Sequence, residues 1–412
     1  MITEKMTDKY DITVIGGGAS GMVAAGVAAN RGRSVLLIER NKFLGRKLRI
    51  TGKGRCNITN IADNSEFFNN ITVNPKFLYS SFYDFNNYSV IDFFNALGVE
   101  TKVERGGRVF PVSDKAVDVV NALIRFVDNA GVKVVNERVI KILKTDCGFS
   151  VFTDNKMFSS EKVIIATGGM SYPLTGSTGD GYRFAQKFGH TVVPLKPSLV
   201  SIKIKEKFCG EMQGLSLKNV RVTLYKDSKA IFSNMGEMIF THDGVSGPII
   251  LSASSHIKSD ANYSLVLDLK PALSEKQLDA RVLRDFSKYI NKQFSNSLSE
   301  LLPKKMIQTI IQLSGIPSDK KINNITREER SLLVNTIKNI NMSVSGLGPI
   351  EEAIITSGGI KTSEISPSTM ESKLVSGLYF CGEIIDVDAY TGGYNLQIAF
   401  STGHLAGASA AE

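Results

Sequence analysis

One turn constrains this chain more than anything else in it: Gly16-x-Gly18-x-x-Gly21, set between the β-branched stretch Asp11–Ile15 and a run of small residues reaching Ala29. Glycine permits a tight backbone turn and lets a diphosphate approach it. The helix that follows presents free amides and the positive end of its dipole. The small residues (ASGMVAAGVAA) suit a helix packed closely on a sheet. A second apolar strand, RSVLLIE, ends on Glu39, eighteen residues after Gly21. A carboxylate there accepts hydrogen bonds from a ribose hydroxyl and disfavours a 2′-phosphate. Turn, helix and acid-terminated strand together predict a β-α-β unit, the opening of a doubly wound α/β fold that takes a dinucleotide. A glycine-rich turn with no ligand leaves Glu39 unexplained.

At 412 residues the chain suits two or three domains. A helix is predicted from Ser113, as N-cap, to Gly131 as stop. Strands are predicted at Lys133–Val135, Val139–Leu143, Phe149–Phe152 and Lys162–Ala166, and a short helix over Tyr182–Gly189. The texture changes near Val192. Leu199–Ile204, Val220–Tyr225 and Tyr263–Leu269 alternate like strands of a barrel or sandwich, and Ser274–Asn341 turns helical and lysine-rich. Rossmann-like texture returns at Gly377–Gly382 and in a final small-residue helix from about Asn395. Such a return describes an insertion into one domain. The expected division is 1–191 and 358–412 for the nucleotide domain, 192–273 with about 342–357 for an inserted β domain, and 274–341 for a small helical one.

Hydrophobic residues at 42% and charged residues at 22% describe an ordinary globular chain. No apolar run reaches the length of a membrane span, and the N-terminal stretch does not read as a signal peptide, so a cytoplasmic protein without membrane contact is expected. The four cysteines, Cys56, Cys147, Cys209 and Cys381, form no CxxC pair, which argues against a disulfide framework, a metal site or a redox dithiol. Net charge is +9; residues 1–60 carry eleven Lys or Arg against four Asp or Glu, and seven of those bases lie between Arg40 and Arg55 with no acid among them. This is either a solvated loop or a surface that collects phosphate or another anion. No aromatic-interleaved or RNA-binding motif accompanies it, so nucleic acid is not the expected partner.

The glycine turn alone does not separate FAD from NAD. Two later segments do. KVIIATGG (Lys162–Gly169) resembles the second signature of two-dinucleotide-fold flavoproteins, placing Ala166, Thr167, Gly168 and Gly169 beside the cofactor. GLYFCGEIIDVDAYTGGYNLQIAFSTG (Gly377–Gly403) resembles the third, in which a Gly-Glu turn meets the ribityl chain and a helix start faces the isoalloxazine ring. Amides of Gly393–Leu396 at that helix start would stabilise negative charge at the N1–C2=O edge of the flavin. In Gly45–Asn60, GRKLRITGKGRCNITN, the glycines suit a loop wrapped around a ligand. Arg55 there could pair with a phosphate or a flavin carbonyl, and Cys56 is either a reactive thiol or a buried inert one.

Taken together, VIGGGASGMVAA, GRKLRITGKGRCNITN, VIIATGG and CGEIIDVDAYTGGYNLQIAFSTG resemble the aminoacetone oxidase family of FAD-binding enzymes, which includes BaiN-like NAD(P)/FAD-dependent oxidoreductases, over essentially the whole chain. The resemblance implies an FAD domain interrupted by a β-barrel and a small helical domain. By position it assigns Gly16, Gly18, Ala19 and Ser20, with Gly21, to the pyrophosphate turn and Glu39, followed by Arg40, to the adenosine ribose. Arg46, Lys47 and Gly54, Arg55, Cys56 and Asn57 line the cofactor, and Val139 offers backbone contacts to the adenine. Gly382, Glu383 and Asp386 meet the ribityl-phosphate region; Gly393, Asn395, Leu396 and Gln397 meet the ring. Lys53 departs from the smaller or neutral residue expected there.

The function so implied is an FAD-dependent oxidoreductase moving a hydride between flavin N5 and a small organic substrate held between the flavin and inserted domains. One version is a reductase of an activated C=C bond fed by NADH or NADPH; the other is an oxidase using oxygen. With no second glycine fingerprint, the nicotinamide binds transiently. Tyr394, Tyr390 and His242 are candidate proton donors. A flavin-containing tRNA or other nucleic-acid protein, and a flavin-holding sensor without turnover, are the competing classes. Substrate and oligomeric state are not set by the sequence.

Overall fold

The computed structural model describes residues 9–258 and 261–412. Two compact units are present, one formed by the residues up to Ser198 together with Ile350–Glu412, the other by Leu199–Pro349.

The first unit is built on a seven-stranded sheet. Its centre is parallel: Lys133–Asn136, Val35–Glu39, Lys9–Ile15 and Met157–Ile165 lie side by side. Strands covered on both faces must be apolar throughout, and every residue of Val35–Glu39 is buried. On the edge away from Lys9–Ile15, the long strand Met157–Ile165 has two partners along its length. Its first half pairs antiparallel with Gly148–Thr153, and its last three residues pair parallel with Leu378–Phe380. That second pairing joins the C-terminal part of the chain to the sheet, so one α/β domain is assembled from both ends, as the return of texture predicts.

The first helix, Ala19–Asn30, is small-sided because the turn before it and the closing helix approach it closely. A Cβ on Gly21 would meet the carbonyl of Gly16 at 1.9 Å. On the closing helix, Tyr394–Ala410, a Cβ on Gly403 or Gly407 would lie 2.5 Å from Ser20 O or 2.4 Å from Ala24 O. The small residues therefore serve a helix–helix contact as well as the packing on the sheet that the sequence suggests.

The predicted helix at 113–131 starts later, at Ala116, and runs to Asn129. Ser113 does not cap it: its hydroxyl accepts from Lys115 N, in the turn before the helix, and no side chain caps the first turn. Val192–Ser198 pairs with Ile355–Ile360 inside the first unit, so the chain leaves that unit after Ser198 rather than where the texture changes.

The second unit is a closed antiparallel barrel of Ile202–Ile204, Gly244–Ser246, Lys229–Phe240, Ser216–Lys226, Tyr263–Asp268 and Ile340–Leu347. Helices Glu275–Lys288, Lys304–Ser314 and Arg327–Lys338 join it. Leu278, Met306 and Leu333 from these helices lie in one apolar core with Leu265 and Leu267 of the barrel. The helical segment thus shares the barrel's core instead of burying one of its own.

Candidate cofactor site

At the end of Lys9–Ile15 the chain turns through Gly16 at φ +106°, where a Cβ would sit 2.5 Å from Ala166 O. Gly17 N donates to Glu39 Oε2 at 2.7 Å, which fixes the carboxylate against the turn. The other oxygen of Glu39 accepts from Asn41 N and Asn41 Nδ2 at 2.8 and 2.7 Å, and Arg46 donates to Asn41 Oδ1 at 2.8 Å. Gly18 stands apart from its neighbours: no atom lies within 4 Å of its would-be Cβ, so nothing in the protein requires glycine there. Gly18 begins a helix that no side chain caps and that has no acid in its first turn. The amides of that turn, through Ala19 and Ser20, suit an anion.

The basic segment is helical from Arg46 and then breaks. Thr51 is extended, and Gly52, Lys53, Gly54 and Cys56 have φ of +57°, +59°, +84° and +60°. This mixture of helical turn and left-handed residues replaces the plain loop expected. The cations are largely committed. Arg40 bonds Thr178 at 2.6 Å and pairs with Asp180 at 3.3 Å. Lys47 Nζ meets Glu383 Oε2 at 2.6 Å and Ser171 Oγ at 2.7 Å. Arg55 pairs with Glu104, donates from Nε to Asp114 at 2.9 Å, and stacks 4.2 Å above the Phe110 ring. Hydrogen bonds donated to Glu104 and Asp114 push the guanidinium further toward its charged form. Arg55 is thus a clamp on the loop, not a cation free for a phosphate. Burial pushes the Cys56 thiol up to about 12, which makes it the inert alternative of the two offered by the sequence.

The second and third signatures meet the first. Ala166 N bonds Ile15 O at 2.9 Å, and a Cβ on Gly382 (φ +78°) would lie 2.4 Å from Ser20 Oγ. Gly382 N donates to Thr402 Oγ1 at 3.0 Å. After Gly168, at φ +71°, Gly169 leaves room for Thr356, whose hydroxyl accepts from Met170 N at 2.8 Å. Glu383 Oε1 accepts from Ser171 Oγ at 3.0 Å and Thr356 N at 2.9 Å, completing a network with Lys47. Ser171 and Thr356 lie outside every motif read from the sequence, and no local pattern of residues marks them. Asp386 accepts from Asn74 Nδ2 at its backbone and side-chain oxygens, 2.7 and 3.1 Å.

Gly393, at φ +102°, seats on Thr59, whose carbonyl would be 2.3 Å from a Cβ. Asn395 spends its amide on Ala389 N and O at 2.9 and 2.8 Å. Gln397, fully buried, spends its own on Thr59 Oγ1 at 2.6 Å and Phe85 O at 2.9 Å. Their side chains hold the helix start in place, which leaves backbone groups, with Leu396 half-buried among them, for any ligand. Val139 lies in a strand paired with Thr153. Tyr394 is buried against Phe67 at 5.3 Å, and burial pushes its hydroxyl up to about 12. Burial also raises Tyr390. His242 belongs to the barrel unit, is 75% exposed, and stands 3.7 Å from Asp243.

Two buried side-chain oxygens in these motifs, Asn57 Oδ1 and Thr167 Oγ1, have no hydrogen-bond partner in the protein. Buried polar groups are ordinarily satisfied. Together with the open face of Gly18 and the fixed carboxylate of Glu39, they fit a bound FAD. Among the described residues no cluster of His, Cys, Asp or Glu could hold a metal, and no helix is long and apolar enough to cross a membrane.

Fold and site define a class: this is a flavin-dependent oxidoreductase on a Rossmann-type domain. The chain belongs to the HI0933-like protein Rossmann domain family, which matches residues 10–409. It is 31% identical over 408 residues to the 3-dehydro-bile acid delta(4,6)-reductase of Clostridium scindens, covering 97% of this chain and 99% of that one. It is also 31% identical over 400 residues to the ribosomal RNA dihydrouridine synthase of Escherichia coli, covering 96% of each. The quinol-fumarate reductase of Escherichia coli shares the fold, with TM-score 0.53 and 16% identity over 99% of this chain and 70% of that one.

Proposed function

We propose that this protein is an FAD-dependent, NAD(P)H-driven reductase of a C=C bond conjugated to a carbonyl. The observation that carries the reading is the meeting of Ser20 with Gly382: the glycine turn and the third signature, 362 positions apart, form one cradle. The names of the two relatives point to the same chemistry, because both a 4,6-unsaturated 3-oxo steroid and a uracil ring carry an alkene conjugated to a carbonyl, and dihydrouridine is the uridine with that alkene saturated.

In this reading the amides of Gly18, Ala19 and Ser20 bind the pyrophosphate, and Glu39 accepts from the adenosine ribose. Thr167, Gly168, Gly382 and Asp386 border the ribityl chain. Amides at Gly393–Leu396 face the ring edge that gains negative charge, and Glu383 holds Lys47 at a set place beside it. When bound, FAD would supply the hydride chemistry, with NADH or NADPH as the donor this reading expects and the alkene as the acceptor. The second hydrogen is a proton. Tyr394 and Tyr390, whose hydroxyls burial keeps protonated, are the candidate donors in this unit.

The names of the dihydrouridine synthase relatives, with the net charge of +9, favour a uridine within RNA as substrate over the small organic molecule that the sequence alone suggests, and a free conjugated enone is its competitor. Anaerobic addition of NADH and of NADPH to the yellow protein tests both. Bleaching, followed by recovery of colour on adding either unmodified ribosomal RNA or a 3-oxo-4,6-diene steroid, is the expected result and names the substrate class. Absence of bleaching with both nucleotides contradicts the reductase reading, and recovery only in air makes the protein an oxidase.

A further inference from the structure

Asn57 ends a strained approach. Four of the five residues before it have positive φ, and two of those, Lys53 and Cys56, are not glycine. Left-handed backbone at non-glycine residues costs on the order of 1 kcal/mol each and persists where surrounding structure dictates it. Here the dictation is visible. Arg55 is pinned by Glu104, Asp114 and the Phe110 ring, Cys56 is fully buried, and Cys56 N bonds Thr51 O at 3.0 Å. The effect is to set the Asn57 side chain in one place. Its amide oxygen is buried there with no partner.

That placement lies next to the third signature. Two residues on, the Thr59 carbonyl lies under Gly393, and Asn60 Nδ2 donates to Gly392 O at 3.0 Å. The segment carrying Asn57 is therefore fastened to the turn that opens the closing helix.

Resting on the FAD reading above, we propose that Asn57 Oδ1 is the acceptor for the N3–H of the flavin ring. An amide oxygen only accepts, so it needs a donor. The ring has two candidate donors. N5 carries hydrogen only in the reduced state and would leave Asn57 unsatisfied whenever the flavin is oxidised, a cost of about 1–3 kcal/mol. N3 carries hydrogen in both states. Asn57 is then a residue for holding and orienting the ring, and the orphaned oxygen weakens the apoprotein.

The test uses apoprotein and three probes: FAD, N3-methyl-FAD and ADP. Wild type should bind FAD about tenfold more tightly than N3-methyl-FAD, the worth of one buried hydrogen bond. Asn57→Leu should lose that discrimination and leave ADP affinity unchanged. It should also raise, or leave unchanged, the unfolding midpoint of the apoprotein. Asn57→Asp, which keeps an acceptor, should regain preference for FAD. Discrimination that survives in Asn57→Leu overturns the proposal, as does a fall in ADP affinity or a lower apoprotein midpoint, which would make Asn57 a structural residue. Wild-type apoprotein that takes up neither FAD nor ADP overturns the FAD reading itself, and this proposal with it.

Discussion

Lys47 Nζ lies 2.6 Å from Glu383 Oε2, joining the basic segment near the N-terminus to the Gly-Glu turn near the C-terminus. Both side chains are mostly buried, at 22% and 15% exposure, and Glu383 also accepts from Ser171 and Thr356. Removing one partner leaves the other charge uncompensated. Glu383→Gln should lower unfolding free energy by about 1–3 kcal/mol. Lys47→Met/Glu383→Gln together should cost less than the sum of the single changes, as a double-mutant cycle in denaturant would read out.

Glycines in the cradle divide by what surrounds them. Gly393→Ala forces a Cβ to 2.3 Å from the Thr59 carbonyl at φ +102°, and should cost on the order of 4 kcal/mol or more, seen as loss of soluble, cooperatively unfolding protein. Gly18→Ala meets no protein atom within 4 Å at φ −82°, so the apoprotein should keep or slightly gain stability. Its FAD affinity should fall more than tenfold by titration of the apoprotein, because the added methyl stands where the backbone would meet a phosphate.

The cysteines should separate cleanly by reactivity. Cys147 is exposed, whereas Cys56, Cys209 and Cys381 are buried, each with its thiol pushed up to about 12 by burial. A thiol reagent at pH 8 should label Cys147 alone in the native protein and all four after denaturation, read by mass spectrometry.

His190 predicts an acid limb in stability. Its ring is fully buried, with Nε2 2.8 Å from Ser372 Oγ and Nδ1 3.3 Å from Glu364. Burial holds its pKa below the ordinary 6.5, although Glu364 pulls the other way. Burial works against the charge on Glu364, but hydrogen bonds from Thr191 hold its pKa below the usual carboxylate value. For both groups the unfolded chain takes up the proton first as pH falls: the contribution of His190 is present above about pH 6.5 and lost below it, and that of Glu364 is present above about pH 4.5 and lost below it. His190→Asn should flatten the slope of unfolding free energy against pH below about pH 6.5.

Much of this was legible in the residues. Gly16, Gly21 and Glu39 announced the turn because the protein's own packing demands them, and the apolar strands Val35–Glu39 and Leu378–Phe380 stood out because a parallel sheet buries both faces. The contacts of long polar side chains were not legible. Arg55 carried no mark of Glu104 and Asp114, which come from a separate hairpin, and Lys47 none of Glu383. Gln397 sits in the motif expected to meet the flavin ring yet turns its amide to Thr59 and Phe85, because a helix start must satisfy its own buried groups before a ligand's. Ser113 looked like a cap and was not one, since Asp114 at φ +56° turns the chain between it and the helix.

The split flavin cradle is tested most directly by denaturing the purified native protein and identifying what it releases. Release of FAD at one equivalent per chain from the wild type, with little from Gly18→Ala, is the expected result. A protein that carries no flavin and cannot be loaded with FAD, or one that carries FMN, would contradict it.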